Sequence, residues 1–328
     1  MLVHAPVFAA DQALIDAAKK EGEVVWYTTQ IIDQLIRPVA QAFEKKYGIK
    51  TTFLRADSNS VALRVINEGR AGQMHGDVFD GQSAAATLKK QGFVLQWIPD
   101  SAARLPKQYV DPEGYWAATN LLVVEPGFNT NLVPKGTEPK TWNDLLDPKW
   151  KGKMAWNSNP GGSTGPSFVG LVLKELGEEK GMTYLRQLAK QDIVGLSSGA
   201  HDVLDQVIAG EYALGLQMLN NQVVFSTRQG APVDWIAMQP ALVIMSGISV
   251  IKGAPHPNAG KLLVDFTLSE EGQKLYRDAD YIAVDPKVEL RDPSVRPDGV
   301  KFRAIYMTPE ELDQSMGQWK KIFDGLFR

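Results

Sequence analysis

Two short stretches hold residue types that could do chemistry. Ala155 to Phe168 reads AWNSNPGGSTGPSF, small polar residues and glycines between two apolar runs. A Walker phosphate loop needs Lys and then Ser or Thr after its last Gly; here Pro166 stands in place of that Gly and Ser167 in place of the Lys. Nucleotide hydrolysis is excluded, and the segment is either a flexible loop or a cradle for a negatively charged ligand. Residues 195 to 199 read GLSSG and fit G-x-S-x-G, the nucleophile elbow, with Ser197 at its centre. The acid and histidine that its chain order demands could only be groups such as Asp234 and His256, and APHPN around His256 reads as an exposed turn between two prolines. A serine esterase built on Ser197 is the alternative from another functional class. The histidines are His4, His75, His201 and His256. None stands at a ligand spacing such as H-E-x-x-H from another His or a carboxylate, so no metal and no cofactor are expected. His201, near a helix start, is a candidate hydrogen-bond donor.

The elements that must position these residues follow from bulk properties and local pattern. The chain has 328 residues, 44% hydrophobic and 22% charged, with a formal charge of −3. That is ordinary globular composition, long enough for two lobes with separate cores. Basic runs interleaved with aromatics are missing, so a nucleic-acid partner is not expected. No apolar stretch approaches the roughly 18 residues of a membrane helix. Absence of cysteine removes disulfides, thiolate zinc sites and a Cys nucleophile. MLVHAPVFAADQ ends an apolar run in small residues at a spacing that a signal peptidase accepts, and is read as a truncated export signal.

One local pattern recurs in AKKEGEVVWYT, EKKYGIKTTFL, KKQGFVLQW and VIAGEYALGL: a helical segment, a glycine, then a β-prone run. Glycine just past the last turn takes the left-handed conformation without Cβ strain, and Lys in that turn offsets the helix dipole. Ile32, Leu35, Ile36, Val39, Phe43 and Tyr47 share one helical face, with Pro38 implying a kink or late start. Strand candidates are VVWYT, TTFLRA, DVFDG, NLLVVE, KMAWN, IVGLS, YALGLQM and GISVIK, separated by helices, which predicts an α/β class with mostly parallel sheets. TPEELDQSMGQWKKIF carries a capping box from Thr308 to Glu311, and its Trp319, Phe323 and Leu326 are expected to pack on a lobe.

In such sheets a ligand lies beyond the carboxyl ends of the strands, where helices begin. The candidates there are Thr28, Thr29, Ser58, Asn59, Gln82 and Ser83 in the first part of the chain. In the middle they are Ser158, Gly162, Ser163, Thr164, Ser198, His201, Asn220 and Asn221. Each is also a favoured helix cap. Their repetition at sheet ends favours helix N-termini that serve one anionic ligand.

The segments EGEVVWYTT, GDVFDGQSA, TWNDLLDPKWKGKMAW, GEYALGLQMLNN and SGISVIKGAPHPNAGKLLVDFTLSEEGQKLY resemble the periplasmic substrate-binding proteins of ABC importers, within them the family of ferric-ion-binding proteins. The resemblance spans Glu21 to Pro286. It implies a type II binding protein whose lobes are joined by strands that cross twice, with residues 11–118 and 249–285 in lobe I, 119–248 in lobe II and 286–328 as a helical C-terminal segment. It also implies a solute in the cleft, closure around it, a periplasmic monomer and permease subunits as partners.

The family's adjacent tyrosine iron ligands fall on Asn220 and Asn221, its histidine on Ile31, and only Asp80 lies near the place of its acidic ligand. Ferric iron prefers anionic oxygen, which neutral amides do not supply. Relatives without the tyrosines bind organic molecules, phosphorylated and phosphonate compounds among them. The resemblance therefore implies a small anionic organic solute, held in part by Ser163, Thr164 and the backbone around Gly162. A ferric receptor that uses other oxygen donors and a bound anion is the alternative within the family.

Overall fold

The computed structural model describes residues 11–159, 163–297 and 302–327. It divides into two units, the first holding the chain up to Leu121 and Met245–Arg291, the second Leu122–Ile244 and Asp292–Arg328.

The first unit opens with α1 (Gln12–Glu21), β1 (Glu23–Thr28), α2 (Arg37–Tyr47), β2 (Lys50–Arg55), α3 (Ser58–Arg70), β3 (Val78–Gly81) and α4 (Ala84–Lys90). β4 (Ala117–Asn129) then runs on into the second unit. There follow β5 (Met154–Asn157), α5 (Thr164–Leu176), α6 (Glu178–Leu188), β6 (Val194–Leu196), α7 (Ala200–Ala209), β7 (Leu214–Leu219), α8 (Asn220–Arg228) and β8 (Val233–Trp235). β9 (Ala241–Val250) returns to the first unit, which adds α9 (Pro257–Leu268), α10 (Glu270–Asp278) and β10 (Ile282–Ala283). The second unit ends with β11 (Ala304–Met307) and α11 (Pro309–Phe327).

Within the first unit β1 pairs in parallel with β2 and β3, and β3 pairs antiparallel with β9. Within the second, β5 pairs in parallel with β6 and β7, while β4 takes β7 and β8 antiparallel. These parallel pairs are those of the βα succession; the antiparallel ones appear where β4 and β9 enter, and β11 then pairs in parallel with β9.

The glycine joints behave as the sequence predicts. Gly22 and Gly48 take φ of 79° and 73° and send their N–H groups back to Ala18 and Glu44 carbonyls. Gly92 and Gly210 close their helices in the same region. Ahead of Pro38, Ile32–Ile36 form a π-helical turn, and α2 begins at Arg37 with the proline in its first turn. There its missing N–H costs nothing. Leu35, Ile36, Val39 and Phe43 are fully buried beneath it.

In the second unit successive residues of β5 face opposite ways, Met154 and Trp156 into one core cluster and Ala155 into another, as the strand period of two requires. α11 lies on α5, with Trp319 over Gly170 and Phe323 over Gly165. The Thr308–Glu311 capping box is formed in both directions, at 3.3 and 3.2 Å.

Candidate functional site

In the first unit the ends of β1 and β3 and the starts of α3 and α4 bring Thr29, Ser58 and Ser83 together. Asp80 is buried at the end of β3, and its Oδ1 accepts from the Thr29 N–H at 2.9 Å and the Thr29 hydroxyl at 3.0 Å. Ser58 Oγ accepts from Ala84 N at 3.0 Å and stands 3.4 Å from Ser83 Oγ. Gly81 is the residue around which they gather: a Cβ there would stand 3.0 Å from Ser58 Oγ and 3.4 Å from Thr29 Cγ2. Burial drives the Asp80 carboxyl above its ordinary value, against the opposing pull of Thr28 and Thr29, because an ion loses its water shell there.

Thr28 is buried below, its hydroxyl taken by the Gln30 N–H at 3.1 Å. Gln30 in turn donates to Ser246 of β9 at 2.8 Å. Asn120 of β4 receives the Thr119 hydroxyl at 3.0 Å, while its Nδ2 is buried with no partner among the described residues. Gln82 is half-buried and Asn59 is exposed.

In the second unit the polar residues fall at the ends of β5, β6 and β7. Asn157, the last residue of β5, reaches Thr164 Oγ1 at 3.5 Å and caps the turn by accepting from Asn159 N at 2.9 Å. Ser158 packs over the backbone of Gly195, where a Cβ would stand 2.8 Å from its Oγ. Ser163 precedes α5, with its carbonyl accepting from Ser167 N. Gly162 lies outside the described residues, as does the export-signal reading of residues 1–10. Ser198 and His201 are exposed, and His201 Nε2 stands 3.9 Å from Asp205.

Asn220 and Asn221 differ from all of these. They open the nine-residue α8, are 0% and 2% exposed, and all four of their side-chain polar atoms lack partners among the described residues. A buried amide without a hydrogen bond costs roughly 1–3 kcal/mol, and the helix start adds free N–H groups and partial positive charge. Such a pair can donate to and accept from a solute at once. Among the described residues no three His, Asp or Glu side chains form a metal-holding group.

The esterase constellation does not assemble as the chain order suggested. His256 takes Asp77, not Asp234, as its carboxylate: Nδ1 is 3.0 Å from Asp77 Oδ2, and the His256 N–H donates to Oδ1 at 2.7 Å. Asp234 accepts from Trp235 N and stands 4.0 Å from Lys135. Sequence spacing missed the histidine pair because its members are 179 residues apart. Asn157 and Asn120 were missed because nothing local marks the one strand residue whose amide will matter.

The profile of the family described as bacterial extracellular solute-binding protein matches residues 74–300. The chain belongs to that family. Relatives of this solute-binding protein include the Fe(3+)-binding periplasmic protein of Serratia marcescens, 24% identical over 80% of this chain and 78% of the relative. The putative 2-aminoethylphosphonate-binding periplasmic protein of Salmonella typhimurium is 24% identical over 77% and 72%. Among solved structures, the periplasmic binding protein AfuA of Actinobacillus pleuropneumoniae, with exogenous fructose-6-phosphate bound, superposes with a TM-score of 0.77. It is 24% identical and covers 93% of this chain and 97% of its own. The fold is that of the two-lobed type II periplasmic binding proteins. The protein is a periplasmic solute-binding component of an ABC importer, and its relatives of known fold are binding proteins rather than enzymes.

Proposed function

We propose that this solute-binding protein captures a small organic solute with an anionic head group, carboxylate, phosphonate or phosphoryl, and delivers it to the permease of its importer. The observation that carries the reading is the Asn220–Asn221 pair, whose buried amides have no partner among the described residues and open a helix. Unsatisfied buried groups persist where a ligand completes them. Neutral amides and helix N–H groups suit an oxyanion, and they give ferric iron no anionic oxygen. Support comes from the relative named as a putative 2-aminoethylphosphonate-binding protein and from the structural neighbour with exogenous fructose-6-phosphate bound. Thr29, Ser58 and Ser83 are the groups of the first unit assigned to the same solute, and Ser158, Ser163 and Thr164 those of the second.

Native mass spectrometry of freshly purified protein, followed by calorimetry with fructose-6-phosphate, 2-aminoethylphosphonate and citrate, tests this. A retained mass bearing a phosphoryl, phosphonate or carboxylate group is expected. A coloured ferric complex with stoichiometric iron by elemental analysis, or retention of an uncharged sugar alone, overturns it. Turnover of generic esters that is lost in Ser197→Ala would instead establish the esterase.

A further inference from the structure

The second unit contains a polar site that the solute reading does not use. β4 and β7 pair Glu125 with Met218 and Gly127 with Gly215, so Leu216 and Gln217 together oppose Pro126. This one-residue bulge leaves Gln217 at φ 50°. It also reverses the strand's facing: Leu214 and Leu216 point into one core cluster, and Met218, two residues further on, into the other. An uninterrupted strand would keep all three on one face.

Beside the bulge lies a cavity of about 20 Å³, room for a single water. Trp142, Leu145, Phe168, Leu171 and Met238 form much of its apolar wall, and Glu125 and Gln217 reach it as polar side chains. They are 3% and 5% exposed. Glu125 Oε2 accepts from Met238 N at 3.3 Å, whereas Glu125 Oε1 and Gln217 Oε1 are buried without a donor among the described residues. Glu125 is the only titratable group among the cavity's described lining residues, which include no Lys or Arg. Two unpartnered oxygens around a water-sized space are matched by a molecule of no bulk that can both donate and accept.

We propose that this cavity binds one structural water, which hydrogen-bonds to both Glu125 Oε1 and Gln217 Oε1 and so ties the β7 bulge to β4. β7 passes directly from Leu219 into α8, so the bulge sets the register at which Asn220 and Asn221 emerge. Glu125 is thereby a positioning residue for that pair. The inference stands whether or not the solute is anionic.

Crystal structures of the wild type, Glu125→Gln and Glu125→Leu, all as full chains, test it together with the NMR signals of the Asn220 and Asn221 side-chain amides. One water within hydrogen-bond distance of both side chains is expected in the wild type and Glu125→Gln, and none in Glu125→Leu. The asparagine signals should move in Glu125→Leu and return to their wild-type positions in Glu125→Gln. Should Glu125→Leu fail to fold, Gln217→Met removes the other acceptor and carries the same expectation. A dry cavity in the wild type, a Gln217 amide turned so that Nε2 donates directly to Glu125, or a sodium ion in place of water overturns the proposal. Asparagine signals that move equally in the Gln and Leu variants overturn the positioning role.

Discussion

Thr29 and Asp80 are joined twice, the carboxylate Oδ1 taking both the backbone N–H and the hydroxyl of a residue 51 positions away. A threonine hydroxyl has one proton, and this one is committed to Asp80. Toward a solute Thr29 therefore presents lone pairs, not a donor, and so meets a hydroxyl or ammonium of the solute and not its anionic head group. Asp80→Ala strands the Thr29 N–H and is expected to destabilise the protein by about 1–3 kcal/mol. Asp80→Asn retains an acceptor at Oδ1 and should cost less. Urea titration of the two variants decides, and equal stability for Asp80→Ala and wild type would show that the pair does not hold the loop.

Asn220 and Asn221 make opposite demands on stability and binding. Replacing Asn220 by Leu removes two buried polar atoms that have no partner among the described residues, at similar volume. Relief of that desolvation should raise unfolding free energy by about 1–3 kcal/mol. The same change removes hydrogen bonds to a charged solute, which corresponds to a loss of affinity of roughly tenfold to a hundredfold. Thermal melts and calorimetry with whichever of fructose-6-phosphate or 2-aminoethylphosphonate binds the wild type would be compared. A variant that is both less stable and equally tight would refute the assignment of this pair to the solute.

Much of this arrangement was legible locally. Gly22 and Gly48 sit where a helix stops and a strand starts, and the side chains on α2 repeat at helical spacing, because each signal lies within a few residues. The ends of β1, β3, β5 and β7 could be found the same way, and with them Thr29, Ser158 and Asn220. Pairings between distant segments left no such trace: Asp80 with Thr29, Asp77 with His256, Gln30 with Ser246. β8, β10 and β11 span only two to four residues each, too short for alternation to register. The bulge at Gln217 was hidden because a left-handed backbone there is imposed by strand pairing, and glutamine carries no preference for it.

The contact between α5 and α11 rests on missing side chains. A Cβ at Gly170 would lie 2.5 Å from the Trp319 indole, and one at Gly165 2.7 Å from the Phe323 ring. Gly170→Ala favours the helix by itself, by roughly 1 kcal/mol, but forces the indole out of its seat. Overpacking of this kind costs about 1–3 kcal/mol, so the expected net effect is destabilisation. The Trp319→Ala background should reverse the sign, since the alanine methyl then has room. Denaturation of the two single variants and the double variant measures the coupling. Additive effects would mean that α11 does not bear on Gly170.

Glu125 gives the pH prediction. Burial raises its carboxyl well above the ordinary value, with the Met238 N–H opposing, so the folded protein holds a proton that the unfolded chain releases near pH 4. Below that value both states are protonated, and the contribution to stability is complete. As pH rises toward the folded-state value the unfolded chain binds fewer protons, and stability falls by up to about 1.4 kcal/mol per pH unit for this one group. The fall ends once the folded carboxyl itself ionises. Glu125→Gln keeps the planar shape without a titrating proton, so its stability relative to wild type should improve as pH rises above the unfolded-chain value and level off once the folded carboxyl ionises. Urea titrations of both proteins across that range give the difference directly. A constant gap would mean that Glu125 is ionised in the folded protein throughout.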